Sequence, residues 1–196
     1  RLSAPRAQLW LELDDALLVA HWNVELEVEG AEQLASAGAR PLVRFALPTG
    51  ARDVELAAET RALGVEVEDG GLAVRGPLPT GASTLRSRFR LPASPEGAAL
   101  ALTTPLDVGV LSVLVADTGV EIESDRLHRR RPFRQGTRTH LHREAFDVHA
   151  GEPLEIGLAP VRRASLGGGA TAAVALIGMA AALFYLMAPL RRERRA

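Results

Sequence analysis

Cysteine is absent from the 196 residues, so the chain has no disulfide frame, no thiolate metal site and no thiol nucleophile. Its stability must come from packing. Lysine is absent too, and all 23 basic side chains are arginine. With its abundance of Ala and Gly, the sequence carries the bias of a GC-rich bacterial genome. Aromatics are scarce, with two Trp, one Tyr and five Phe, which leaves little to stack on sugar rings or bases. No G-x-S-x-G elbow and no phosphate-binding glycine loop occurs. Charge is missing from one stretch: the 26 residues from Ser165 to Leu190 carry none, and arginine then fills four of the next five positions.

That stretch sets the expected topology. As a helix, Ala170 to Leu190 would span roughly 31 Å, against about 30 Å for the hydrocarbon core of a bilayer. Tyr185 and Pro189 suit the headgroup boundary. Arg191, Arg192, Arg194 and Arg195 follow the span, while only Arg162 and Arg163 precede it, so the tail is expected in the cytoplasm and the body outside. The expected organisation is an extracytoplasmic domain over 1–161, an Arg/Gly-rich linker over 162–169, a transmembrane helix over 170–190 and a cytoplasmic tail over 191–196. Arg1 stands where a start Met would, which fits a secretory signal removed upstream. Ala175, Gly178 and Ala182 share one helical side and would let a second helix come close. Gly167 to Gly169, the apolar run and the arginine tail together resemble the glycine-type C-terminal sorting signals of bacteria; the segment is read here as a permanent anchor instead.

The remainder holds 19 arginines against 23 acids, a formal −4, which argues against a nucleic-acid partner. It is long enough for one domain with a proper core. Residues 18 to 28 have period two, Leu18, Ala20, Trp22, Val24, Leu26 and Val28 on one side against Val19, His21, Asn23, Glu25 and Glu27 on the other, the signature of a half-buried strand. Further strands are expected at 8–13, 42–47, 52–57, 64–68, 72–75, 83–91, 98–103, 108–116, 120–124, 137–143 and 153–158. Val108 to Ala116, apolar on both faces, should be central. Asp14-Asp15, Asp69-Gly70-Gly71 and Asp117-Thr118-Gly119 read as hairpin turns, and so do the two LPTGA pentapeptides at 47–51 and 78–82. A short helical stretch could fall between Gly30 and Gly38.

Turns recurring about every ten residues predict an all-β, antiparallel sandwich of immunoglobulin or transthyretin-like kind. This spacing, with endings such as His149-Ala150-Gly151-Glu152-Pro153, resembles the transthyretin-like, carboxypeptidase-regulatory-like and fibronectin type III modules that bacteria display outside the membrane. That resemblance implies a binding or scaffolding module without a shared active site.

His140 and His142 lie two apart on one strand and could present two imidazoles to one ion, but no defined third ligand accompanies them. No metal or cofactor is therefore expected. Arg126, Arg129, Arg130, Arg131 and Arg134 make the densest basic stretch, suited to lipid headgroups, an anionic cofactor or an acidic partner. Arg86, Arg88 and Arg90 share a face and are expected to pair with acids such as Glu66 and Glu68. Asp117-Thr118-Gly119 occurs once, whereas aspartic-protease chemistry needs two facing carboxylates. The expectation is a non-catalytic accessory or assembly subunit of a bacterial inner-membrane complex, contacting other membrane subunits and the bilayer. The runner-up is a stand-alone ligand-binding or sensing module on the cell surface.

Overall fold

The computed structural model describes residues 1–14, 16–94 and 96–161; the 162–169 linker, the 170–190 span with Ala175, Gly178 and Ala182, and the arginine tail lie outside the described residues. The described chain is all-β, with several sheets. In order its elements are β1 (Leu2–Asp14), β2 (Leu17–Leu34), β3 (Val43–Ala46), β4 (Arg52–Leu56), α1 (Ala58–Ala62), β5 (Val65–Glu68), β6 (Gly71–Val74) and β7 (Leu78–Pro92). Then follow β8 (Ala98–Thr103), β9 (Val108–Ala116), β10 (Val120–Glu123), β11 (His128–Arg129), β12 (Phe133–Gln135), β13 (Arg138–Val148) and β14 (Pro153–Pro160). Among the described residues no helix is long and apolar enough to cross a membrane.

An eight-stranded sheet runs β11-β13-β9-β1-β2-β7-β4, with β12 also paired to β13. Two three-stranded sheets, β10-β14-β8 and β3-β6-β5, complete the unit Arg1–Pro160. Its neighbours pair antiparallel except β1 and β9, whose pairing is parallel. As its two apolar faces foretold, β9 sits inside the large sheet, between β13 and β1.

Period-two alternation decides which face of the large sheet is dry. Leu9 and Leu11 of β1, the alternate residues Leu18, Ala20, Trp22, Val24, Leu26 and Val28 of β2, Leu85 and Phe89 of β7, and Leu111, Val113 and Val115 of β9 point inward. They form one core with Phe45, Leu72 and Val74 of one small sheet and Leu154, Ile156 and Leu158 of the other. Trp22, at 2 % exposure, is the largest side chain in it. The arrangement is sandwich-like, with the large sheet dry on one face.

Several expectations need correction. No helix forms between Gly30 and Gly38, because β2 continues to Leu34, where it pairs with the buried Leu78. For the same reason the second LPTGA, at 78–82, lies inside β7; the first is a true turn, closed by the Ala51 N–H donating to the Pro48 carbonyl. Asp117-Thr118-Gly119 carries the chain from the large sheet to a small one and joins no hairpin. Asp69-Gly70 does make the tight turn of the β5–β6 hairpin, both residues adopting positive φ (42° and 72°) as a two-residue loop of that type requires. Arg86, Arg88 and Arg90 pair with Glu59, Glu55 and Asp53 instead of Glu66 and Glu68, since β7 is flanked by β4 and by α1, which follows β4. Glu66 and Glu68 lie on β5, in the small sheet β3-β6-β5, and pair with Arg75.

Candidate functional site: the outer face of the large sheet

The face turned away from the core is built by register. Directly opposed residues on adjacent strands point the same way. The pairings His142–Leu114, Leu114–Trp10, Trp10–His21, His21–Arg88 and Arg88–Glu55 therefore lay one continuous row across β13, β9, β1, β2, β7 and β4. A second row, Glu144–Ser112–Gln8–Asn23–Arg86, runs beside it. At one border α1 is pinned to β7: Thr60, fully buried, donates to the Arg86 carbonyl (3.1 Å) and accepts from the Arg86 N–H (2.7 Å).

The β13 side of this face is partly dry. Leu114 and Ala116 are buried yet outside the main core. His140, at 3 % exposure, stands with its ring edge-on to Trp10 (5.2 Å, 76°), and Phe133 meets the same Trp10 at 6.0 Å and 81°. The Nδ1 of His140 has no hydrogen-bond partner.

Next to this patch the sheet is polar and grooved. A cavity of about 950 Å³ opens among Glu12, His21, Arg88, Asp117 and Arg138. Another of about 380 Å³ opens among His21, Asn23, Glu55, Glu59 and Arg86. His21 and Arg88 line both, so the two grooves adjoin at the middle of the sheet.

The two candidate metal-ligating histidines are brought to one face and then used separately. His140 packs on Trp10, while His142 Nε2 lies 3.3 Å from Glu144 Oε1. Among the described residues no group of three His, Asp or Glu side chains is placed to hold a metal ion. Glu144 is the hub of its neighbourhood: it accepts from Ser112 Oγ (3.5 Å) and from Arg130 Nε (2.5 Å) as well as facing His142. Serine, carboxylate and imidazole are thus adjacent, but the carboxylate stands between the other two. A nucleophilic serine needs the imidazole beside its hydroxyl, so this order serves to hold side chains in place.

The basic stretch divides. Arg126 is committed internally: its Nε donates to Glu152 (2.8 Å) and its Nη2 to the carbonyls of Phe146 (2.9 Å) and Asp147 (3.2 Å). Hydrogen bonds from Arg126 and from the His149 N–H hold the Glu152 carboxyl below the usual carboxylate range. Arg130 is engaged too, with Glu144 and over the Phe146 ring at 5.0 Å. Arg129, Arg131 and Arg134 are exposed and make no ion pair among the described residues.

Sequence reasoning did not single out the row through Trp10, His21 and Arg88, because its members lie on strands far apart in the chain and only register unites them. The one available signal was the polar phase of each alternating strand. Fold and face together define an all-β, sandwich-like module with one broad polar surface. No protein-family model matches the chain, and no curated protein shows significant similarity to it.

Proposed function

We propose that this chain is a non-catalytic, membrane-tethered accessory subunit. Its head is an extracytoplasmic sandwich of immunoglobulin or transthyretin-like kind, and Ala170 to Leu190 is the transmembrane stem. The head braces or covers partner proteins of a larger bacterial inner-membrane complex. The observation that carries this reading is the outer face of the large sheet: six strands wide, grooved, partly apolar around Trp10, and otherwise lined by side chains that suit polar contacts. A face mixing aromatic and arginine anchors with polar neighbours has the composition of a protein–protein surface.

Gentle solubilisation of native membranes tests it. The intact chain should co-migrate with a large assembly, and Trp10→Ala with Arg88→Ala should release it. Migration of the wild type as a free monomer would count against an accessory role. A second reading, a stand-alone ligand-binding module, is favoured by the groove at Glu12, His21 and Arg88. It would be preferred if a small molecule were retained on the free monomer.

A further inference from the structure

From Arg126 to Arg143 the chain holds seven arginines and three histidines and not one acid. The structure shows which of these charges are spent. Arg126 and Arg130 are consumed by Glu152 and Glu144, and Arg138 lies 3.5 Å from Glu12. Of the other four, Arg143 is half-buried on β13, while Arg129, Arg131 and Arg134 lie within six residues of one another on a segment whose residues from His128 to Thr139 are all exposed. Among them sits Phe133, one of the few large apolar side chains left open among the described residues, at 45 % exposure with its ring edge-on to Trp10. β11 and β12 both pair only with β13, at the border of the large sheet, so the segment forms a narrow arm along that edge.

We propose that this arm is an anionic-lipid docking element, with Arg129, Arg131 and Arg134 taking phospholipid phosphates and Phe133 entering the headgroup layer. Guanidinium groups present paired donors that match phosphate oxygens. Each basic side chain near an anionic membrane surface adds attraction, so three together can orient a head already held at the bilayer by its stem. An aromatic ring beside them suits the membrane–water interface. The alternative occupant, an acidic protein surface, fits less well. A stable protein interface engages about 20–30 residues a side, and this arm offers far fewer. The inference rests on the tethered reading above.

The chain's lack of cysteine provides a clean probe. Gln135→Cys in the full chain, labelled with a polarity-sensitive dye and placed in lipid nanodiscs, reports water access at the arm through quenching by acrylamide. With phosphatidylglycerol in the disc, quenching should fall severalfold relative to pure phosphatidylcholine, and salt near 1 M, which shortens the screening length to about 3 Å, should restore it. Arg129→Gln, Arg131→Gln and Arg134→Gln together should abolish the protection, and Phe133→Ala should weaken it. Equal quenching in both lipids overturns the proposal, as does protection that ignores salt and the arginine variant. Protection seen only in native membranes with their other proteins assigns the arginines to an acidic partner and also overturns it. Failure of the chain to enter discs at all sinks the tether; entry without protection sinks the docking arm alone.

Discussion

Glu152 ties together two stretches of chain, accepting from Arg126 Nε at 2.8 Å and from the His149 N–H at 3.0 Å. Both bonds favour the ionised carboxyl, so its pKa in the folded head lies below the ordinary 4.5 to which it returns on unfolding. Glu68 is lowered in the same sense, first by its hydrogen bond from Arg75. A depressed carboxylate contributes stability that is complete above the unfolded pKa and is lost as pH falls through the folded one. Urea midpoints should therefore drop below about pH 5, and Glu152→Gln should flatten that decline while leaving the profile above neutrality unchanged in slope. A variant profile parallel to the wild type at acid pH would show that the pair is not linked to folding. Thr60 is a second residue whose role is read from its partners. Thr60→Val keeps the shape and strips both hydrogen bonds to Arg86, leaving a backbone N–H unpaired. A loss of about 1–3 kcal/mol is expected, with faster amide exchange in α1.

Two glycines of the β5–β6 region separate conformational strain from steric conflict. Gly70 has φ of +72° in the hairpin turn and open space around it, so Gly70→Ala incurs only the left-handed penalty of about 1–2 kcal/mol. Gly64 has φ of +63°, and a Cβ there would lie 2.0 Å from the Gly76 carbonyl oxygen. Gly64→Ala should thus cost clearly more than Gly70→Ala; equal denaturation midpoints would mean the backbone at Gly76 yields freely. These elements also show what a sequence discloses. Ala98–Thr103 and Val108–Ala116 were legible to the residue, because alternation and apolar runs are local signals. β11 and β12 were not, since His128–Arg129 and Phe133–Gln135 have no period of their own and become strands only by pairing with β13. The helix α1, five residues without a side-chain cap, was equally silent and depends on the Thr60 clamp. The arginine-rich stretch was visible as composition, but which arginines stay free depends on where Glu144 and Glu152 fall in the fold.

At the scale of the whole molecule, β1 begins the chain and still lies inside the large sheet, paired on one side with β2 and on the other with β9, about a hundred residues later. The last strand of the head, β14, is likewise the middle strand of its small sheet. Both small sheets lend residues to the single core around Trp22. The shared core couples the three sheets in global unfolding. Native-state hydrogen exchange on the full chain in mild detergent should therefore give the slowest amides of Trp22, Leu72 and Ile156 the same opening free energy, equal to that of global unfolding. If the β3-β6-β5 sheet exchanged at markedly lower free energy than the other two, the head would be two cooperative units and its outer face would rest on a divided scaffold. A single value would mean that a load on that face is borne by the stability of the entire unit, as the proposed bracing role requires.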